Sequence, residues 1–337
     1  MTSRWKSSVA ACVIGLAMSA SAATAADNFF VYVSPDPIGV NAFLQMGKTG
    51  IEVAGEKFGA EVRTYESKTA AERVDNVNAA INEGANIVVM LGFEFNDIVA
   101  QVAPTAPDTQ FVIVDQCIDN KPDNVSCAVF REYEASYLMG VAAGMLTKSN
   151  KVGVVGALDI PFLHRYTDGY AQGVKSVNPD ATVDVRWVGG ENPFADPVRA
   201  KEQAVAMHAA GADVIFTATA GGDFGVFEAA KENNFPIFSV DVNQCPNAPG
   251  HIVDNTLKHV DTAVVEAIGA ILEGKTGTVV SLGLKEGGMG AIALEPDNIA
   301  NSQCVIADHP EVAAKMREVA DSIRSGALTL EDPMFAK

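Results

Sequence analysis

Two stretches of the chain, Phe111-Val-Ile-Val-Asp115 and Ile237-Phe-Ser-Val-Asp241, share one pattern: four strand-forming residues followed by an aspartate. Each closes a series in which apolar strands alternate with helical patterns. The first series begins at Phe29 and the second at Lys151. Near-continuous apolar strands joined by helices indicate parallel sheets covered on both faces. The sequence therefore predicts an α/β protein with two doubly wound parallel-sheet lobes.

The segments after Asp241 are too short to form a third lobe, so we expect them to return to the first two. The chain would then cross between the lobes three times, near Phe130, Asn255 and Gly290. A hinge of three segments allows two lobes to close around a ligand. The predicted lobes are residues 26–130 with 256–290, and residues 131–255 with 291–337.

The composition excludes several classes of partner. The chain has 337 residues, and 42 Asp and Glu against 24 Lys and Arg give a net charge of −18. Such a field repels nucleic acid and anionic lipid, so neither is expected as a partner. We expect a freely diffusing monomer.

The first 25 residues are predicted to be a cleavable export signal. Arg4 and Lys6 precede the apolar segment Val9–Ala20, and Ala23-Thr-Ala25 is a typical cleavage site. The alternative is a membrane anchor, but the apolar segment is too short to span a bilayer. The mature protein is therefore expected in the periplasm, where disulfides persist.

Four cysteines remain after the signal. Cys117 and Cys127 flank a polar turn between two apparent strands, which favours a local disulfide and leaves Cys245 to pair with Cys304. Four separate thiols are the alternative. No C-x-x-C occurs, so a zinc knuckle or a thioredoxin-like motif is not expected.

No motif for catalysis, a metal or a cofactor is convincing. The segment Gly269–Thr276 matches the P-loop pattern, but it continues a helix that ends near Gly274, whereas a P-loop opens a helix after a strand. The chain lacks H-E-x-x-H, G-x-S-x-G and G-x-G-x-x-G, and its five histidines show no metal-ligand spacing. We expect no enzymatic activity, no metal and no cofactor.

Polar and aromatic residues recur instead at the predicted strand ends. In open parallel sheets the crevice beyond the carboxyl ends of the strands binds ligands. For each carboxylate alone, a helix N-cap or a turn is the competing interpretation. Candidates of this kind are Asp36, Asn41, Asp115, Phe194, Gly221 and Asp241.

The chain resembles the basic membrane protein family of substrate-binding proteins, many of which bind purine nucleosides. The clearest stretches are Phe130–Gly144, Lys151–Gly156, Gly169–Gly173, Gly211–Phe216 and Asp241–Gln244, with Lys258-His-Val-Asp261 after them. The resemblance implies a type I periplasmic binding protein that delivers a small molecule to the permease and ATPase of an ABC importer. It also implies ligand contacts by Asp36, Asn41, Asp115, Phe194, Gly221 (or Gly222), Asp241 and Lys258.

One position departs from the family pattern. Val40 stands where the family typically has a Phe that stacks on the ligand. Phe43 or Phe93 would have to replace it, and Glu94 beside Phe93 either faces the cleft or is a solvated helix residue. A nucleoside-like ligand is our main hypothesis. The alternatives are a sugar or polyol receptor for the same kind of importer, and a chemosensory ligand receptor.

Overall fold

The computed structural model describes residue 1 and residues 28–335. The predicted export signal therefore lies, except for Met1, outside the described residues. Within 28–335 no helix is long and apolar enough to cross a membrane. The strands of this part of the chain are β1 (Phe29–Ser34), β2 (Glu61–Glu66), β3 (Ile87–Leu91), β4 (Gln110–Val114), β5 (Val125–Phe130), β6 (Lys151–Gly156), β7 (Thr182–Trp187), β8 (Val214–Ala218), β9 (Ile237–Asp241), β10 (Ile252–Lys258), β11 (Val279–Leu282) and β12 (Met289–Ala291). The helices are α1 (Ala42–Phe58), α2 (Ala70–Asn82), α3 (Asn96–Val102), α4 (Glu132–Leu146), α5 (His164–Val177), α6 (Pro197–Ala209), α7 (Asp223–Asn233), α8 (Val260–Leu272) and α9 (Pro310–Ser325).

The strands form two six-stranded sheets, in the orders β2-β1-β3-β4-β5-β11 and β7-β6-β8-β9-β10-β12. Every pairing is parallel except that of β10 with β12. The first sheet is covered on both faces. Consecutive residues of β1, such as Tyr32 and Val33, point to opposite faces of the sheet, and they belong to two different apolar clusters. The predicted α/β class with two doubly wound lobes is confirmed.

The central helix of the second lobe explains part of the family-like sequence. Thirteen residues of α4 are buried, so α4 is surrounded by protein rather than by solvent. A Cβ at Gly140 would overlap the carbonyl oxygen of Tyr170, and one at Gly173 would overlap that of Tyr137. These glycines let α4 and α5 pack closely, which is a structural role.

The chain crosses between the lobes in three segments: at Arg131, at His259 and within 283–288. Two of these positions differ from the expected crossings. Strand β10 continues three residues beyond Asn255, because its polar side chains are buried partners of the second lobe; for example, Asp254 accepts hydrogen bonds from Ile292 N (2.8 Å) and Ala293 N (2.9 Å). Strand β12 begins at Met289, so the third crossing ends before the expected Gly290, and residues 292–294 form a 3₁₀ turn.

Arg131 ties two of the crossing segments together. Its guanidinium donates to Ser281 O at 2.9 Å and forms ion pairs with Glu134 and Glu286. Glu134 in turn accepts a hydrogen bond from Leu284 N at 2.7 Å. The hinge therefore has a defined geometry rather than three independent linkers.

Both expected disulfides are present. Cys117–Cys127 joins the segment after β4 to the first half of β5, with 5.4 Å between the Cα atoms. Cys245–Cys304 joins the turn after β9 to the segment before α9, with a Cα separation of 5.0 Å. The P-loop-like segment begins in the last turn of α8, and Gly274 lies two residues beyond the helix with a φ of 83°, a conformation in which glycine is favoured.

Candidate functional site

A cleft lies between the carboxyl ends of the two sheets, with an empty volume of about 660 Å³ including its mouth. The first lobe contributes residues that follow β1, β3 and β4, together with the first turn of α1. The second lobe contributes the ends of β8, β9 and β10 and the segments after β6 and β7. This is the position at which doubly wound sheets bind ligands.

Seven of the eight predicted site residues line this cleft: Asp36, Asn41, Phe93, Asp115, Phe194, Asp241 and Lys258. Gly221 does not. It lies in a 3₁₀ turn in which Ala220, with a φ of 54°, reaches the cleft instead, and a Cβ at Gly221 would lie 3.1 Å from Phe194 O. Gly221 therefore supports the loop that carries Phe194.

The two lobes present aromatic rings to each other. The ring centroids of Phe93 and Phe194 are 6.2 Å apart, with 51° between the ring planes. Val40 is 63% exposed and does not line the cleft. Phe43 does line it, but its ring lies 5.1 Å from the Lys258 ammonium. Phe93 is therefore the first-lobe ring that opposes Phe194.

Lys258 is buried at the junction of the lobes. Its Nζ lies 2.6 Å from Asp115 Oδ1 and 3.0 Å from Glu132 Oε1, and it donates to the Tyr166 hydroxyl at 3.3 Å. Burial alone would lower the pKa of Lys258, but the negative charges around it, Asp115 foremost, hold that pKa well above its usual range. Lys258 is therefore a permanent cation that joins β10 to the end of β4.

The ion network continues from the cleft to the end of the described chain. Glu132 Oε2 lies 3.4 Å from Arg165 Nη1, and Arg165 binds Asp332 through contacts of 2.6 and 2.9 Å. Arg165 also donates to Phe130 O, at the end of β5, at 3.0 Å. Sequence reasoning missed Glu132, Arg165 and Asp332, because a charged residue in a helix or near a terminus usually faces solvent. The one signal was that Glu132 falls within the family-like stretch at 130–144.

Asp241, at the end of β9, is 7% exposed, and its side chain has no hydrogen-bond or ion-pair partner within 28–335. Burial raises its pKa to about 7; Lys258 lowers it, and nearby carboxylates add to the rise. Glu94 is partly buried and likewise has no side-chain partner among the described residues. Burial raises the pKa of Glu94 to about 7 as well. In the described part of the chain neither carboxylate accepts a hydrogen bond from another side chain, although the backbone N–H of Glu94 itself lowers the pKa of that residue.

The remaining two polar candidates have partners. Asp36 lies 3.2 Å from Arg73 Nη2, and Arg73 also donates to Pro35 O at 2.8 Å. Asn41 is the N-cap of α1, since its Oδ1 accepts from Leu44 N at 3.3 Å. Asn41 thus caps a helix, yet its amide NH₂ group stays available to the cleft that the residue lines. In the described part of the chain no group of three or more His, Cys, Asp or Glu side chains is arranged to hold a metal ion.

Residues 30–320 match the family described as ABC transporter substrate-binding protein PnrA-like. The chain is 32% identical over 279 residues to the ABC transporter nucleoside-binding protein BmpA of Lactococcus lactis, covering 75% of this chain and 78% of that protein. It is 29% identical to the CD4+ T-cell-stimulating antigen of Listeria monocytogenes, covering 90% of this chain and 88% of the relative.

A solved structure shares the two-lobed fold. The ABC transporter solute-binding protein from Aeropyrum pernix superposes with a TM-score of 0.78 at 26% identity, covering 91% of this chain and 94% of that one. Sequence and structure comparisons therefore agree over nearly all of the described residues.

Proposed function

Because the chain belongs to the PnrA-like family of ABC transporter substrate-binding proteins, we propose that its cleft closes on an unphosphorylated nucleoside. The protein would take up this ligand in the periplasm and present it to the permease of an ABC importer, whose ATPase is a separate chain. The observation that carries the proposal is the Phe93–Phe194 pair, in which each lobe supplies one ring. Closure would sandwich a planar base between the lobes, and stacking on an aromatic ring contributes about 1–3 kcal/mol per base.

The distance between the rings fits a hinge that opens to admit a base. Two stacking contacts of about 3.5 Å require roughly 7 Å between the rings, against the observed 6.2 Å between centroids. A small opening of the lobes, with rotation of one ring, would therefore be sufficient. The name of the Lactococcus relative, a nucleoside-binding protein, supports the same ligand class.

The charges in the cleft favour a ligand without phosphate. Among the described residues that line it, Lys258 is the one cation, and Asp115 and Glu132 already neutralise it. The carboxylates of Asp241 and Glu94 would repel a phosphate, whereas the hydroxyl and N–H groups of a nucleoside can donate to them.

A thermal-shift panel on protein stripped of bound ligand by unfolding and refolding tests the proposal. A ligand at 100 times its Kd adds about 2.7 kcal/mol to the free energy of unfolding, or several degrees in Tm at about 2–4 °C per kcal/mol. We expect nucleosides to give this shift, and the matching 5′-monophosphates, pentoses and hexoses to give none. A shift with sugars alone would contradict nucleoside binding while leaving the family and fold unaffected.

Phe194→Ala extends the test to the stacking platform. We expect this variant to bind nucleosides at least tenfold more weakly, because one face of the base loses its ring. Phe335→Ala, which removes a ring that is 72% exposed, is the control and should bind as the wild type does. Equal affinity of Phe194→Ala and wild type would contradict a base sandwiched between the lobes.

A further inference from the structure

The acidic side chains that line the cleft fall into two classes. Asp36 and Asp115 are each paired with a cation of the protein, Arg73 and Lys258 respectively. Glu94 and Asp241 have no such partner among residues 28–335. An ionised carboxylate accepts hydrogen bonds and donates none. The unpaired groups therefore determine which polar atoms a ligand must bring.

The local backbone holds Glu94 beside Phe93, the first-lobe ring on which a base would stack. It follows Phe93 directly, in the 3₁₀ turn after β3. Gly92 precedes this turn with a φ of 98°, and a Cβ at Gly92 would collide with Glu94 Oε2. The carboxylate is thus folded back over Gly92, inside the cleft, rather than extended into solvent. The absence of a side chain at Gly92 is what makes room for it.

Among residues 28–335 no cation forms an ion pair with Glu94. Arg73, whose charge lowers the pKa of Glu94, is engaged by Asp36 and by the carbonyl of Pro35. Asp36 and Asp115 add further negative charge to the same wall of the cleft. Above its pKa of about 7, the ionised Glu94 would therefore repel a ligand atom with a lone pair. Two adjacent N–H donors would be accepted by its two oxygens, in the paired geometry that carboxylates form with planar donors.

We propose that Glu94 is a specificity-determining residue, which selects nucleosides whose base edge presents two adjacent N–H donors. Guanine has this pattern in its N1–H and 2-amino groups. Adenine presents an acceptor, N1, beside its 6-amino donor, and hypoxanthine lacks the 2-amino group. Asp241 on the second lobe would take hydroxyl donors from the other end of the ligand. The inference rests on the proposed nucleoside function and assigns within it a preference for the guanine class.

Calorimetric titration of guanosine, inosine and adenosine at pH 8, above the pKa of about 7 to which burial raises Glu94, tests the assignment. The wild type should bind guanosine at least tenfold more tightly than adenosine, and inosine should lie between them because it offers one donor. In Glu94→Gln the amide can accept from the 6-amino group of adenine and donate to its N1, the same donor and acceptor pairing that amide side chains form with the N6/N7 edge of adenine. We therefore expect the ratio of the guanosine and adenosine affinities to change at least tenfold in favour of adenosine.

Glu52→Gln is the matched control, since it makes the same chemical change at an exposed position of the first lobe. It should leave all three affinities unchanged. An equal loss for every nucleoside in Glu94→Gln, or no change in the ratio, would overturn the role of Glu94 while nucleoside binding stands. Equal affinity of the wild type for guanosine and inosine would overturn it without any variant. Failure of the wild type to bind any nucleoside would overturn the proposed function itself, and this inference with it.

Discussion

Asp115 and Asp241 occupy equivalent positions in the two lobes but differ in their electrostatic state. Each follows the apolar core of a strand, β4 or β9, and each is nearly buried, at 6% and 7% exposure. Both have positive φ values, 81° and 74°, which non-glycine residues seldom adopt and which tend to cluster at functional sites. Asp115 forms an ion pair with Lys258 at 2.6 Å, whereas Asp241 has no partner in the described chain.

The difference arises from β10, which pairs with β9 and ends in Lys258. Although Lys258 belongs to the sheet of Asp241, its ammonium lies against Asp115 and Glu132. One aspartate therefore takes part in a permanent bridge between the lobes. The other is left as a hydrogen-bond acceptor that a ligand can use. The ends of β4 and β9 share one sequence pattern, but they acquire different functions because Lys258 of β10 pairs with only one of the two aspartates.

Removal of Lys258 should have the largest effect on the free energy of unfolding, because it breaks the ion pair of Asp115. Lys258→Met leaves Asp115 buried without its cation and leaves Glu132 with Arg165 alone, and the loss of one partner of a buried ion pair costs about 3–5 kcal/mol. Urea unfolding followed by circular dichroism measures it. The control Lys201→Met breaks exposed pairs with Glu228 and Glu232, which contribute about 0–1 kcal/mol. Equal, small losses in both variants would show that the buried network does not stabilise the fold.

The unpaired state of Asp241 predicts that the free energy of unfolding depends on pH. The pKa of Asp241 is raised to about 7 from an ordinary value of 3.8, so the contribution of this residue to stability is fully present below pH 3.8 and is lost as the pH rises through 7. Between pH 5 and pH 7 the ligand-free wild type should lose roughly 2 kcal/mol relative to Asp241→Asn. The pKa values of Glu94 and Asp254 are also raised to about 7. Both residues are present in the wild type and in Asp241→Asn, so their effects cancel in the comparison. Parallel profiles of unfolding free energy against pH would contradict an unpaired Asp241.

Alanine at each aspartate separates ligand binding from stability. Asp241→Ala should weaken nucleoside binding at least tenfold, which is about 1.4 kcal/mol, without lowering the stability of the ligand-free protein at pH 8. Asp115→Ala should weaken binding and also destabilise the ligand-free protein, since Lys258 loses a buried partner. Titration calorimetry and urea unfolding of the two variants provide the four values. Equal destabilisation by both variants would remove the distinction between the aspartates.

The smallest effect is expected at the far end of the ion network. Asp332→Asn weakens the contacts to Arg165, which still retains Glu132 and the carbonyl of Phe130. Because Asp332 is partly exposed, we expect a loss of about 1 kcal/mol in the free energy of unfolding. Asp321→Asn, at an exposed pair with Arg324, should change stability by less than half of that. A loss above 3 kcal/mol for Asp332→Asn would mean that the network is more cooperative than its separate contacts indicate.

Sequence reasoning located most of the cleft because strand ends can be read locally. Asp36, Phe93, Asp115 and Asp241 follow apolar strands, and parallel topology brings the carboxyl ends of such strands to one edge. The reasoning placed a crossing between the lobes near Asn255, whereas β10 continues to Lys258 with all of its side chains buried. It also chose Gly221 over Ala220, since a 3₁₀ turn decides which of two neighbours reaches the cleft.

The sequence by itself determined the α/β class, the two-lobed organisation and the family, because hydrophobic periodicity and ordered motifs are properties of the linear chain. Only the tertiary structure decided which charged groups are buried and which of them are paired. The network joins Asp115, Glu132, Arg165, Lys258 and Asp332, residues that are distant along the chain. A local pattern cannot distinguish a charge that faces solvent from one that faces a distant partner. The pairing of Asp115 and the unpaired state of Asp241 follow from that three-dimensional arrangement alone.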